Sequence, residues 1–303
     1  MTCSIVILIT PTLVRAHGFE GDRFFPPTIQ TDDPFATDEL SVGLQAFNNP
    51  AGSDGTPKSR ELDVSAEFDK EIYPKFALGI SGTYINLEPN KHTDNGFDPL
   101  PSLDGFDNIT LSAKYQLLEV PEHEFILTLG GKIDLGGSGS KNFAGNSYST
   151  YTPTLYYGKG FGDLPNELKY LKPIALTGTL GYEIPSKSSD SNVFDWGFAL
   201  EYSLPYLQEH VEDVGLPHPV RELIPLVEFD LSSPTNGNGE TTTGTINPGI
   251  LWESKYFQIG VEAVIPVNAH TGPNVGAVVQ LQIFIDDLFP KVFGHPLFFG
   301  DDK

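Results

Sequence analysis

The chain has one cysteine, Cys3, and one methionine among its 303 residues. Cys3 falls in an N-terminal leader, so the remainder offers neither a disulfide framework nor a thiolate metal site. Long apolar runs are also missing. The mean hydropathy of −0.16 excludes a bundle of membrane-crossing helices, each of which needs about 20 consecutive apolar residues. It does not exclude a membrane β-barrel, whose alternating strands average to nothing in a hydropathy window. Basic residues are scarce: 18 Lys and Arg face 40 Asp and Glu, a net charge of −22. Nucleic acid is therefore not a partner to expect. No cofactor is implied by any motif. What is plentiful is glycine (31), proline (25), tyrosine (12) and phenylalanine (21), a composition for many strands and turns.

The N-terminus reads as an export signal over residues 1–16. Ser4 to Thr10 with Leu13 and Val14 form a short apolar core, and Val14-Arg15-Ala16 resembles a cleavage site. Nothing basic precedes Ser4, so either translation starts upstream or the signal is a weak one. Pro11 and Arg15 fit badly into a buried N-terminal strand. Residues 17–36 follow, with His17-Gly18-Phe19, Arg23-Phe24-Phe25-Pro26-Pro27 and Thr31-Asp32-Asp33-Pro34-Phe35. They have no strand period and read as an ordered, extended periplasmic arm.

From residue 37 to 287 the period is two. Asn108 to Leu117 is apolar at odd positions and polar at even ones, and Phe125, Leu127, Leu129, Ile133 and Leu135 continue opposite Thr128, Lys132 and Asp134. That is a hairpin with one greasy and one charged face. Similar rows recur: Leu40, Val42, Leu44, Ala46; Leu62, Val64, Ala66, Phe68; Ile174, Leu176, Leu180, Tyr182; Leu223, Val227, Phe229; Phe257, Ile259, Val261, Ala263, Ile265. They amount to roughly twelve strands, an even number as in single-chain bacterial outer-membrane barrels. The connections alternate. Asn48–Arg60, Glu88–Gly105, Gly136–Tyr148, Pro185–Asn192, Ser232–Thr243 and Asn268–Asn274 are polar and long, whereas Lys70–Pro74, Val120–Glu122 and Glu253–Lys255 are tight. Gly158–Lys172 and Pro205–Val220 depart from that rule, and Tyr206–Val214 looks helical on the periplasmic rim. Tyr84, Tyr115, Tyr157, Tyr182, Tyr202, Trp252 and Tyr256 fall near strand ends, as in an interfacial girdle. The expected fold is all-β: an antiparallel up-and-down transmembrane barrel with a short periplasmic helix, both termini in the periplasm and a C-terminal tail over 288–303.

Three segments carry a family resemblance. They are the arm quoted above, the stretch from Tyr202-Ser203-Leu204-Pro205-Tyr206 to Glu228-Phe229, and Asp286-Asp287-Leu288-Phe289-Pro290 with Gly294-His295-Pro296-Leu297-Phe298. Together they resemble proteobacterial outer-membrane barrels of the MetA-pathway of phenol degradation type, described as transporters. The resemblance implies a channel for small solutes, aromatic or otherwise hydrophobic ones included; its motifs are structural and bring no substrate residues with them. The chain ends in Asp301-Asp302-Lys303 instead of the terminal aromatic of many such barrels.

On the polar faces, Asp63, Glu67, Lys114, Lys132, Asp134, Glu201, Glu228, Asp230 and Glu262 are the candidates for lumen and selectivity residues, with Glu61, Asp69 and Asp195 beside them. Acids outnumber bases, which favours cations over anions. Lys114 and Lys132 form a local basic spot facing the acids. Phe24, Phe25, Pro26 and Pro27 are the candidate plug. Two rival readings stay open. One is a structural barrel with a plugged lumen that binds a periplasmic protein. The other is an outer-membrane lipid hydrolase, which needs a histidine beside a nucleophile; every histidine falls in a predicted connection or terminal arm. No metal site is expected, since Asp94, Asn95 and Asp98 lack the spacing of a calcium loop. The partners expected are outer-membrane lipid and a small solute.

Overall fold

The computed structural model describes residues 18–49, 58–89, 102–141, 143–236 and 241–298. The leader expected over 1–16, His17, and the outer-connection residues His92, Asp94, Asn95 and Asp98 lie outside the described residues. Twelve long strands form the body: β1 (Glu39–Asn49), β2 (Ser59–Tyr73), β3 (Phe76–Pro89), β4 (Thr110–Val120), β5 (Phe125–Asp134) and β6 (Thr150–Gly160). The second half is β7 (Ile174–Pro185), β8 (Val193–Tyr202), β9 (Leu223–Pro234), β10 (Thr243–Glu253), β11 (Phe257–Pro266) and β12 (Gly276–Phe284). Each pairs antiparallel with its sequence neighbour, and β12 pairs with β1, so the sheet closes with no free edge. Closure matters because an unpaired edge would leave backbone N–H and C=O groups unsatisfied in lipid. A short extra strand at Leu103–Phe106 extends β3 beyond β4.

The register shows why alternation produces this body. On the outside, Leu281 faces Val42, Ile259 faces Leu281 and Trp252 faces Ile259. On the far wall Leu129 faces Leu155, which faces Leu180, which faces Trp196. Phe198 stacks on Phe229 at 4.5 Å between ring centroids. Leu44, Leu78, Ile80, Leu129, Leu200, Val261 and Val279 are each more than two-fifths exposed. A monomer in water rarely tolerates an apolar patch beyond a few hundred Å²; this belt runs round the whole circumference, and hydrocarbon is the solvent that suits it. No helix among the described residues is long and apolar enough to cross a membrane.

One rim carries the tight turns 74–75, 121–124 and 254–256, together with the longer 161–173 and 203–222, which depart from the alternation; among the described residues, 186–192 and 267–275 connect strands at the other. The expected helix is a single turn at Leu204–Tyr206 that widens into a π-turn at Leu207–Val211. Ser203 starts it, accepting the Tyr206 N–H at 3.1 Å, and Pro205 sits where the first turn has no need of a donor. It stops earlier than the apolar pattern suggests because Glu212 returns to an extended backbone. In β4 the register slips between Gln116 and Leu118. The bulge explains why Leu117 and Leu118 are consecutive apolar residues and both exposed.

Residues 18–36 run inside the barrel, where Phe24, Phe25, Phe35 and Ala36 are buried. The reason is that the lower lumen is not uniformly polar. Ile224, Leu226, Leu251 and Phe284 face inward and hold Phe24 with Ile29, while Ile126 and Ala175 hold Phe25 and Phe35. Burying a phenylalanine there is worth about 1.5–3 kcal/mol relative to leaving it in water. The C-terminal tail instead folds over the outside of β2: Phe293 packs edge-on against Phe68, and Phe298 lies against Tyr73.

Candidate functional site: an arm seated in a charged lumen

Three groups of wall residues receive the arm. The first is Glu228, fully buried midway along β9. Its carboxylate accepts three successive backbone N–H groups, from Ile29 at 2.9 Å, Gln30 at 2.6 Å and Thr31 at 3.2 Å. These amides take no part in the barrel's strand pairing, and one anion collects all three. Gln258, two positions before Gly260, donates to the Pro27 carbonyl at 2.7 Å. The absence of a side chain at Gly260 leaves room for Ile29, whose Cδ1 lies 2.7 Å from where a Cβ would stand.

The second group is basic. Lys114 Nζ donates to Asp32 Oδ1 at 2.7 Å and to the Asp33 carbonyl at 3.2 Å, and Lys132 Nζ lies 3.3 Å from Asp32 Oδ2. One arm carboxylate thus divides its two oxygens between lysines on adjacent strands. Tyr156 on β6 places its ring 5.2 Å from Lys114 Nζ, adding cation–π attraction. Further along, Thr128 donates to the Pro34 carbonyl and Gln116 accepts the Ala36 N–H at 2.9 Å.

The third group closes the short-turn rim. Arg23 is fully buried, with its guanidinium 3.6 Å above the Tyr206 ring. It reaches Glu124 Oε2 at 3.3 Å and the Pro173 carbonyl at 3.1 Å, and it also donates to the Lys172 carbonyl. Glu124 in turn accepts the Tyr206 hydroxyl at 2.7 Å and the Gly162 N–H at 2.9 Å. A buried charge of this kind is stable only when it is paired and hydrogen-bonded, and here each of the three guanidinium nitrogens has an acceptor. Beside it, Glu20 is buried with Glu119 nearby. Burial first, and the Glu119 charge second, push its carboxyl up to about 7.

The lumen candidates divide by depth. Lys114 and Lys132 meet at Asp32, and Glu67 shares with Lys132 a polar cavity of about 130 Å³ that Asp69, Gln280 and Gln282 also line. Glu228 binds the arm. Glu262, two strands away and almost fully buried, has neither oxygen hydrogen-bonded, and neighbouring Asn247 is similarly unpartnered. Glu201 lies near the short-turn end and accepts Thr177 Oγ1 at 3.0 Å. Asp63, Asp134 and Asp230 sit toward the long-loop end, away from the arm. Asp134 accepts Thr110 Oγ1 at 2.6 Å, and Asp230 is exposed. Of the candidate plug residues, Phe24 and Phe25 fill the apolar seat and Pro27 supplies a carbonyl to Gln258. Sequence reasoning did not single out Arg23, Asp32, Glu124, Gln116, Gln258 or Tyr156. Asp32 and Arg23 look like ordinary loop charges in a chain with so many. Only the burial implied by Phe24-Phe25 next to Arg23 hinted at an inward position.

Among the described histidines none lies on a barrel strand. His123 Nδ1 is 3.2 Å from Asp163 at a turn, His210 stands 4.8 Å from the Tyr206 ring, and His218, His270 and His295 are in connections or the tail. No cluster of three metal-binding side chains occurs among the described residues.

No protein-family model and no curated protein matches the chain. Solved structures do. The KdgM porin is similar at 11% identity over 81% of this chain and 98% of that chain, with a TM-score of 0.45. An outer membrane channel from Pseudomonas putida F1 is similar at 12% identity over 86% and 99%, with a TM-score of 0.46. The outer membrane phospholipase A from Escherichia coli is similar at 10% identity over 84% and 94%, with a TM-score of 0.43. The chain is a closed, twelve-stranded antiparallel barrel.

Proposed function

We propose that this protein is a bacterial outer-membrane channel that passes small solutes by passive diffusion through an acidic lumen, after export by the leader at 1–16. The observation that carries this is the closed barrel with an unbroken apolar belt outside and ionisable residues inside. Such a surface belongs in lipid, and such a lumen belongs in water. Twelve strands enclose a narrow bore, and the acids on β2, β8, β9 and β11 outnumber Lys114 and Lys132. Cations and neutral polar solutes should therefore pass in preference to anions. The resemblance to the MetA-pathway of phenol degradation type adds small aromatic compounds to the candidate solutes.

A second reading has its own support. The arm occupies the lumen through Glu228, Lys114, Lys132 and the Arg23–Glu124 pair, which suits a barrel that is plugged and serves to bind a periplasmic protein. Single-channel recording in planar bilayers with a salt gradient separates the two. Conductance with a cation-selective reversal potential is the expected result. A preference for anions would refute the acidic-lumen assignment, and a barrel that never conducts, even with its arm contacts weakened, would favour the plugged one.

A further inference from the structure

We infer that Lys114 and Lys132 form a binding site for a small monocarboxylate, which Asp32 of the arm occupies in its absence. The inference rests on the channel reading, because it places in the same lumen a local site that would retain an anion the acidic bore as a whole disfavours. Lys114 and Lys132 lie on adjacent strands one step apart in the register, Lys114 opposite Gly130 and Lys132 opposite Ser112. Gly130 has no Cβ, and one built there would come 2.8 Å from Tyr156 Cε2 and 2.5 Å from the Ala113 carbonyl. The missing side chain lets the Tyr156 ring lie close under Lys114, where it fixes the ammonium. Among the described residues, the only carboxylate either lysine pairs with is that of Asp32, one oxygen to each. Glu67 and Asp69 line the same cavity but take no part in those pairs.

Lys114 is buried and Lys132 about one-third exposed, and two ammonium groups sharing one carboxylate repel each other unless an anion lies between them. Asp32 supplies that anion; once the arm leaves, Glu67 and Asp69 offset part of the charge from the wall, and the place between the two lysines is open to a free anion. The geometry asks for two acceptor oxygens on one centre, which a carboxylate provides. The adjoining cavity of about 130 Å³, with Gln280, Gln282 and the Glu67 carboxylate on its wall, leaves room for a compact body that carries hydrogen-bond donors. A tethered Asp32 acts at an effective concentration in the millimolar range, so a free carboxylate competes with the arm only at similar levels. Removing the Asp32 charge therefore exposes the site.

The test is calorimetric titration of sodium benzoate and sodium acetate into the full-length detergent-solubilised protein, at constant ionic strength, with benzamide as the neutral control. Folding is verified by heat-modifiable migration. Asp32→Asn should bind benzoate at least tenfold more tightly than the wild type, and adding Lys132→Gln should remove at least that gain. Benzamide should not bind. Equal affinity in wild type and Asp32→Asn, an undiminished affinity in the Lys132→Gln double variant, or equal binding of benzamide would each overturn the site. So would the absence of heat in a folded Asp32→Asn protein; Asp32→Ser replaces that variant if the asparagine one does not fold. Binding is read without conduction, so failure here leaves the bilayer result, and the channel reading, to stand or fall separately.

Discussion

Replacing Glu228 by glutamine should unseat the arm. In the folded protein its carboxylate accepts the N–H groups of Ile29, Gln30 and Thr31. A glutamine in the same place offers one acceptor oxygen and one amide group that points donors at donors. Of three charge-assisted bonds, one or two are lost. Each hydrogen bond to a charged group is worth about 1.5–3 kcal/mol, so allowing for water reaching the freed amides, the net loss is about 2–4 kcal/mol. At about 1.4 kcal/mol per tenfold, the ratio of seated to unseated arm falls by about 30- to 700-fold. The internal control is Glu262→Gln. That carboxylate has no hydrogen bond and its nearest charged neighbour on the wall is Glu228 itself, so neutralising it removes a repulsion and holds the arm at least as firmly. Open probability in planar bilayers measures the first effect, and protection of the arm against added protease measures it independently. If Glu228→Gln gates like the wild type, or if Glu262→Gln opens the channel as much, the three-amide contact is not what holds the arm.

Arginine at Ile259, which faces Leu281 and Trp252 on the outer belt, should cost about 2–4 kcal/mol of barrel stability near the bilayer midplane, as measured by urea unfolding in vesicles; arginine at Gln280, inside the wet cavity, should be mild. Arginine at Thr128 should be harmful although it faces inward, because Thr128 is fully buried against the Pro34 carbonyl; near-wild-type unfolding would contradict that. Docking of the start of the arm, where Phe19–Glu20 pairs antiparallel with Arg23–Phe24, should weaken at high pH. The seated arm holds the Glu20 carboxyl near 7 against an ordinary value of 4.5, so its contribution is fully present below that ordinary value and is lost as the pH rises through about 7. Protease cleavage near Glu20 should therefore be faster at pH 8.5 than at pH 5.5 in wild type, and the difference should shrink in Glu20→Gln. Arg23→Lys should loosen the same rim, since an ammonium cannot stack on Tyr206 and reach Glu124, Lys172 and Pro173 together; unchanged protease protection would count against it.

The barrel was legible because lipid-facing and lumen-facing positions alternate with period two, and one unbroken apolar row per strand is a strong local signal. Leu62, Val64, Ala66 and Phe68 needed no partner to be read. Tight turns and long connections added an independent count. Strand bulges were not legible, because Leu117-Leu118 looks the same as the end of a strand. Inward-facing apolar residues were also missed: Ile224, Leu226 and Leu251 sit on polar rows and resemble noise in the alternation until Phe24 is seen against them. The arm was visible as an ordered segment and its Phe-Phe-Pro-Pro stretch as a candidate plug, but the residues that seat it were not. Its position depends on contacts that span about two hundred residues of sequence, such as Ile29 with Glu228 and Pro27 with Gln258.

The wall residues that matter for the arm differ from the other lumen acids in one physical respect that sequence does not record. Glu228 and Glu262 sit on the same face of the wall, two strands apart, with the same period and chemistry. Only Glu228 lies opposite the three arm amides; Glu262 has no such donors. Lys114 and Lys132 likewise differ from rim lysines such as Lys75, which is half exposed beside Glu119, by facing an arm carboxylate in place of solvent. In the proposed channel, which acids shape permeation would therefore depend on whether the arm is seated. With it in place, Glu228 is spent on backbone amides, and a passing cation would meet Glu67, Asp69 and the exposed Asp230. With it gone, Glu228 would join them, and the two lysines, neighbours on one wall, would keep only Glu67 and Asp69 as nearby counter-charges. One lumen would then have two charge patterns, and the arm would decide which one a solute meets.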